Sequence, residues 1–267
     1  MSGVACYFAE LTSKWGKNMH KKVALVTGGS RGIGRATALL LAKHGYRVAV
    51  NYINDEQAAR QVVAEIAAAG GLAVALQADI ADESQVIALF EKLEAQLGPI
   101  TALVNNAGIL FPQTTLEGLT AERINRVLST NVTGYFLCSR EAVKRMALRH
   151  GGNGGAIVNV SSAAARLGAP GEYLDYAASK GAIDTLTTGL SLEVAAQGIR
   201  VNGVRPGFIY TDMHASGGEP GRVDRVQSSL PMKRGGHPHE VAEAIIWLLS
   251  DNASYVTGSV LDLAGGK

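Results

Sequence analysis

Val23-Ala24-Leu25-Val26-Thr27-Gly28-Gly29-Ser30-Arg31-Gly32-Ile33-Gly34 is the stretch that decides the fold. An apolar run of strand length ends in a glycine turn, and a helical pattern starts directly after it, near 32–44. A glycine turn feeding a helix N-terminus aims free backbone N–H groups at an anion, most often a pyrophosphate. Gly28 permits the turn, while Gly32 and Gly34 let phosphate and helix approach the backbone closely. Ser30, Arg31 and Ile33 complete the candidate cradle. The spacing is G-x3-G-x-G and not the common G-x-G-x-x-G. A glycine triplet alone would serve packing equally well; the strand before it and the helix after it decide for a nucleotide.

Outward from this turn the pattern repeats. Short β-branched runs at 22–27, 47–51, 72–77, 100–104, 156–160, 199–204 and 259–263 alternate with helical stretches near 55–69, 83–97, 119–149, 173–197 and 238–250. Strands alternating with helices of this length imply crossover units and a parallel sheet. Their apolar character suits strands covered on both faces. The expectation is one Rossmann-type, doubly wound α/β domain over 21–267, with a seven-stranded parallel sheet. The irregular segment 207–237 follows the sixth strand, where such folds bind ligands, and reads as a substrate lid. Residues 1–20 stand apart from the pattern. An extended or misassigned start, disordered and dispensable, is favoured there over a functional arm.

Composition narrows the class. The 267 residues carry a net charge of +2, with 18% charged and 47% hydrophobic residues. That is enough material for a core and too little charge for disorder. A near-neutral balance without basic or aromatic stripes argues against nucleic acid and membrane surfaces as partners. Cys6 and Cys138 are the two cysteines and have no metal spacing, so disulfide scaffolds and zinc modules are out, and no metal site is expected. A cytoplasmic setting is expected.

The glycine turn, with the motifs below, resembles the short-chain dehydrogenase/reductase family, of the kind carrying Thr-Gly-x3-Gly-x-Gly. The likeness covers residues ~22–267 and omits the extension. It implies a nicotinamide dinucleotide. An acidic residue ending the second strand would bind the 2′-hydroxyl of NAD. Here the strand ends Val50-Asn51-Tyr52, which puts Asn51 at the cofactor in place of a carboxylate, and Arg31 stands in the turn where NADP-using members often carry a basic residue. NADP is therefore favoured and NAD stays open, because Arg31 also fits a solvated turn position. The resemblance further places Asp79 and Ile80 at adenine, Asn106, Ala107 and Gly108 (within Asn105-Asn106-Ala107-Gly108) beside ribose, and Pro206, Gly207, Ile209 and Thr211 at the nicotinamide carboxamide. Asp79 also suits a purely local role on the turn's N–H groups.

Tyr176 and Lys180 lie four apart on one helix face. The spacing alone also fits a packed tyrosine above a snorkelling lysine. Small Ala177, Ala178 and Ser179 leave room for a ligand, and Ser161-Ser162 ends a strand upstream. Moving hydride between nicotinamide and a carbonyl or alcohol carbon needs a matched proton transfer at oxygen. Free tyrosine titrates near ~10, so a neighbouring ammonium is expected to lower Tyr176. The resemblance assigns Ser162 to the substrate oxygen, with Ser161 the alternative, and completes the set with Asn131. A polar residue in mid-helix competes for backbone bonds, so a kink at Asn131 and a water relay to Lys180 are expected; an asparagine tolerated at a bend is the plainer alternative.

These residues imply an NADP-dependent oxidoreductase for a secondary alcohol or ketone, resembling glucose 1-dehydrogenase-like and 3-oxoacyl-carrier-protein reductase-like members. A non-catalytic dinucleotide sensor would not need the Tyr176/Lys180 pair. His214, Ser216, Glu219, Arg222, Asp224 and Arg225 in the lid suit a hydroxylated substrate or a solvated outer face. Arg145, Arg149 and His150 suit either an acidic carrier protein or an ordinary helix C-terminus. Family likeness also implies a homotetramer built through the 173–197 helix and the last strand.

Overall fold

The structure, a computed structural model, describes residues 22–267. The N-terminal extension read as dispensable lies outside these residues. Seven strands are present: β1 Val23–Val26, β2 Arg47–Tyr52, β3 Ala73–Gln77, β4 Ala102–Asn105, β5 Gly155–Val160, β6 Ile199–Pro206 and β7 Val260–Leu263. They form one sheet in the order β3-β2-β1-β4-β5-β6-β7. Every neighbouring pair is parallel. Chain order reverses between β1 and β4, the switch point at which such sheets open a ligand crevice beyond their carboxyl ends.

Helices α1 Gly32–Lys43, α2 Glu56–Ala68, α3 Glu83–Leu97, α4 Ala121–Leu128, α5 Gly134–Met146, α6 Ala164–Leu167 and α7 Leu174–Val194 follow the first five strands in turn. After β6 come α8 Met213–Ser216, α9 Arg222–Val226 and α10 Pro238–Leu249. Alternate strand residues feed two cores. Leu25, Leu103 and Ile157 meet Phe90, Leu93, Tyr135 and Ile183 on the α3, α5 and α7 side. Val26, Val50 and Val104 meet Leu41, Val62, Ile245 and Leu248 on the α1, α2 and α10 side. The period-2 alternation of a strand produces this division, and each fully buried Leu or Ile contributes about 1.5–3 kcal/mol. Asp55, Asp82 and Thr120 start α2, α3 and α4 by accepting the N–H of Ala58, Gln85 and Arg123.

Two local expectations change, and one short helix is new. The helix expected unbroken over 119–149 is split by a π-helical turn, Ser129–Thr133, between α4 and α5. The expected irregular lid contains α8 and α9. The loop between Ser162 and Tyr176 holds the short helix α6.

Candidate active site

The glycine turn is built by its neighbours. Gly28 has φ +60°, and a Cβ there would lie 2.9 Å from the Ala107 Cα. A Cβ on Gly34 would lie 2.3 Å from the Gly28 carbonyl oxygen and 2.5 Å from Asn106 Nδ2, so Gly34 serves close packing of helix on turn. Asn106 Nδ2 donates to the carbonyls of Thr27 (2.9 Å) and Gly28 (3.1 Å), while Thr27 Oγ1 accepts the N–H groups of Asn106 and Ala107. The first N–H groups of α1 have no acceptor within the helix, and Arg31 at its N-cap supplies no side-chain cap. These donors open on a cavity lined by Gly28, Ser30, Arg31, Gly32, Ile33, Asn51, Asp79, Ile80, Asn106, Ala107 and Gly108. Positive-φ glycines and uncapped donors fit a pyrophosphate.

Asn51 has a different job from the one expected. It is buried; its Oδ1 accepts the Gly28 N–H at 3.3 Å, and its Nδ2 donates to the carbonyls of Tyr52, Leu76 and Ala78. It thus ties the turn to β3 and keeps no free group for a ribose. Asp79 Oδ1 accepts the Ala81 N–H, the local role left open by the sequence. Ile80 is buried and packs where a Cβ on Gly134 would sit. Arg126 and Asp55 are among the residues of this cavity that escaped the sequence reading. Arg126 on α4 adds a second cation, 4.0 Å from Asp79. Asp55 supplies a carboxylate three residues past β2, although it is occupied capping α2.

A second cavity of about 290 Å³ adjoins the first and shares Ile33, Asn106, Thr211 and Met213 with it. Its wall brings together Ser162, Tyr176, Lys180, Pro206, Gly207, Ile209 and Thr211. Leu110, Leu167, Tyr173, Phe208 and Met213, which the sequence reading did not single out, complete its apolar part. Gly207 is required because a Cβ would lie 2.7 Å from the Ala264 Cα at the end of β7. Thr211 packs its methyl 3.4 Å from where a Cβ on Gly32 would stand, seating the lid on the glycine turn.

The two serines separate clearly. Ser161 is buried with its hydroxyl donating to the Lys180 carbonyl at 3.1 Å. Ser162 accepts the Ala164 N–H, and its hydroxyl acts on the Tyr176 phenol as a downward pull. Burial pushes the Tyr176 hydroxyl up to about 12 against the pull of Ser162, and burial pushes Lys180 down to about 7. The expectation that Lys180 lowers Tyr176 is therefore corrected. Desolvation of the buried phenol outweighs any pull from the neighbouring ammonium and leaves Tyr176 above its ordinary value. Asn131 is fully buried in the π turn, outside the cavity wall. It stands 3.5 Å from a Cβ on Gly108, and Lys180 Nζ stands 3.6 Å from the same point.

The lid residues also divide. Arg222 and His214 line the cavity. Arg222 is buried, paired with Glu172 and Glu219, and stacked over Tyr173 and Phe208. Asp224 accepts from Tyr210, and Arg225 pairs outward with Glu219. Arg145 is committed to Glu141 and Glu94, so the expected basic cluster is reduced to exposed Arg149 and His150.

Fold and site together define a dinucleotide-binding oxidoreductase. A family model described as enoyl-(acyl carrier protein) reductase matches residues 28–267. The chain is 76% identical over 245 residues to the uncharacterized oxidoreductase YgfF of Escherichia coli (strain K12), covering 92% of this chain and 99% of that one. It is 39% identical to the 3-oxoacyl-[acyl-carrier-protein] reductase FabG of Staphylococcus aureus (strain Mu50), covering 92% and 97%. A solved dehydrogenase/reductase from Sinorhizobium meliloti 1021 superposes with a TM-score of 0.85 at 35% identity, covering 92% and 94%. A Serratia marcescens short-chain dehydrogenase/reductase gives 0.84 at 33%, covering 92% and 97%. The chain belongs to the short-chain dehydrogenase/reductase family, enzymes that act on CH–OH groups with a nicotinamide cofactor.

Proposed function

We propose that this chain is an NADP(H)-dependent reductase of a compact ketone, interconverting it with the secondary alcohol. The observation that carries this reading is the junction of the two cavities: the donor-lined cleft of the glycine turn runs into the wall that holds Ser162, Tyr176 and Lys180. A dinucleotide bound at the turn supplies the hydride to the carbonyl carbon. Ser162 holds the carbonyl oxygen, and Tyr176 gives that oxygen its proton. A hydroxyl pushed up to about 12 stays protonated at neutral pH, which suits a donor and hence the direction of reduction. Lys180 stands 5.6 Å from the Tyr176 ring centre, where its charged form offsets the phenolate left behind.

Arg31 and Arg126 in the cleft support NADP over NAD, since a 2′-phosphate prefers guanidinium partners. Leu110, Leu167, Tyr173, Phe208 and Met213 support a substrate with a largely apolar body. The names of the 39%-identical relatives support a 3-oxoacyl thioester as one such substrate. Arg222, Glu172 and His214 in the same wall support the hydroxylated, sugar-like alternative. A homotetramer is part of the proposal, supported by exposed Leu128, Phe136, Leu192 and Trp247. So is a cytoplasmic setting, supported by Cys138, free among the described residues; no helix among the described residues is long and apolar enough to cross a membrane.

The test is purified protein with NADPH or NADH against simple ketones and an acetoacetyl thioester, and with NADP⁺ against glucose. Ketone-dependent oxidation of NADPH is expected. Cofactor binding without turnover on any of these would overturn the reading.

A further inference from the structure

Tyr135 is the largest fully buried side chain of the molecule's described residues, and the chemistry above makes no use of it. It sits on α5, four residues after Asn131, and its hydroxyl reaches the same corner as Lys180. Tyr135 Oη donates to the Val160 carbonyl at 3.1 Å. Lys180 Nζ donates to that carbonyl at 2.8 Å and to Tyr135 Oη at 3.3 Å. The directions follow from chemistry. A carbonyl can only accept, so the phenol proton belongs to Val160, and the phenol lone pairs face the ammonium.

We propose that Tyr135 is a positioning residue for the reaction: its hydroxyl, anchored on Val160, holds the Lys180 ammonium in place beside Tyr176. An ammonium has three N–H donors. Val160 and Tyr135 take two, so tetrahedral geometry fixes the aim of the third. Without the phenol oxygen, Nζ is free to rotate about a single carbonyl contact. Tyr135 is no proton carrier to solvent, because it has no exposed surface and burial holds its hydroxyl well above the ordinary tyrosine range. The titratable groups acting on this corner are Tyr135 from α5, with Cys138 beyond it, and Tyr176 and Asp184 from α7. Asn131 from the π turn and Val160 from β5 carry no charge.

The assignment rests on the functional reading above, and its test does not depend on turnover. Lys180 is titrated by NMR in the unchanged protein and in Tyr135→Phe, which keeps the ring in the core. Loss of an acceptor for the ammonium should lower the Lys180 midpoint, a change of about tenfold in its ionisation constant. With NADPH and the best ketone, kcat should fall about fivefold to tenfold, KM should stay within about twofold, and the pH limb governed by Lys180 should move down with the midpoint. An unchanged midpoint and limb would make Tyr135 a packing residue and overturn the proposal. Should Tyr135→Phe not accumulate, the Tyr135 ¹³Cζ resonance of the unchanged protein decides: it must follow the Lys180 titration, and a flat signal overturns the assignment. A protein that reduces no ketone yet couples these two groups would count against the functional reading alone.

Discussion

Asn131 grips Ile109 by both of its backbone groups: Oδ1 accepts the Ile109 N–H at 2.8 Å, and Nδ2 donates to the Ile109 carbonyl at 2.9 Å. Nδ2 also reaches Ser179 Oγ on α7 at 3.1 Å. The π turn, by adding a residue to the helical ladder, carries this side chain in to join the loop after β4 to the helix of Tyr176 and Lys180. Asn131→Leu leaves two part-buried backbone groups of Ile109 without these partners. A loss of about 1–3 kcal/mol is expected in denaturant unfolding. An unchanged midpoint would show that the loop holds itself.

Ser161 and Ser162 should give opposite phenotypes. Ser162→Ala removes the hydroxyl that meets Tyr176 and should cut kcat by about 10²–10³-fold at nearly unchanged stability. Ser161→Ala removes a bond to the Lys180 carbonyl and should cost about 1 kcal/mol of stability with a smaller effect on kcat. Steady-state kinetics and unfolding of both variants check this; the reverse pattern would exchange the two roles.

Lys180 should be costly to the fold. Its folded value of about 7 lies below the ordinary 10.5, so below pH 7 the group is charged in both states and the burial penalty is full. Between about 7 and 10.5 the unfolded chain binds the extra proton, and this contribution to stability rises with pH. Lys180→Met should therefore stabilise the protein by about 1–4 kcal/mol near pH 6.5, with a smaller gain at pH 9.5. In the wild type, ketone reduction should decline above pH 7 as the ammonium is lost, and Lys180→Met should lack that limb. A destabilised Lys180→Met at pH 6.5 would refute the burial argument.

Cofactor choice should follow Arg31. The side chain is exposed and borders the glycine-turn cavity. Arg31→Ala should weaken NADPH binding by about 1.5–3 kcal/mol, the scale of a charged hydrogen bond, with little change for NADH. Fluorescence titration with both cofactors measures this. Equal losses would mean that Arg31 supports the turn and reads no phosphate.

Where residue type and spacing act locally, the sequence was informative. The strands, the glycine turn and the Tyr176/Lys180 face follow from periodicity and from turn chemistry at adjacent positions. Asn131 betrayed the π turn because a polar residue in mid-helix competes with the backbone. Long-range pairing was not legible. Asn51 looked like a cofactor residue until its amide was found satisfied by Gly28 and β3, and Arg145 looked free until Glu94 arrived from another helix. Tyr135 had a local sign, its four-residue spacing from Asn131, but its meaning depends on Val160 and Lys180 from distant segments. The pKa of Tyr176 was misjudged for a related reason: charge is visible in a sequence and desolvation is not.

The proposed reaction stands on Tyr176 as the proton donor in a nicotinamide-driven ketone reduction. The most direct measurement compares ketone-dependent NADPH oxidation by the wild type and Tyr176→Phe, with NADPH binding measured on both. A fall in kcat of about 10²–10⁴-fold with binding retained is the predicted result. Turnover by Tyr176→Phe within about twofold of the wild type would contradict the account.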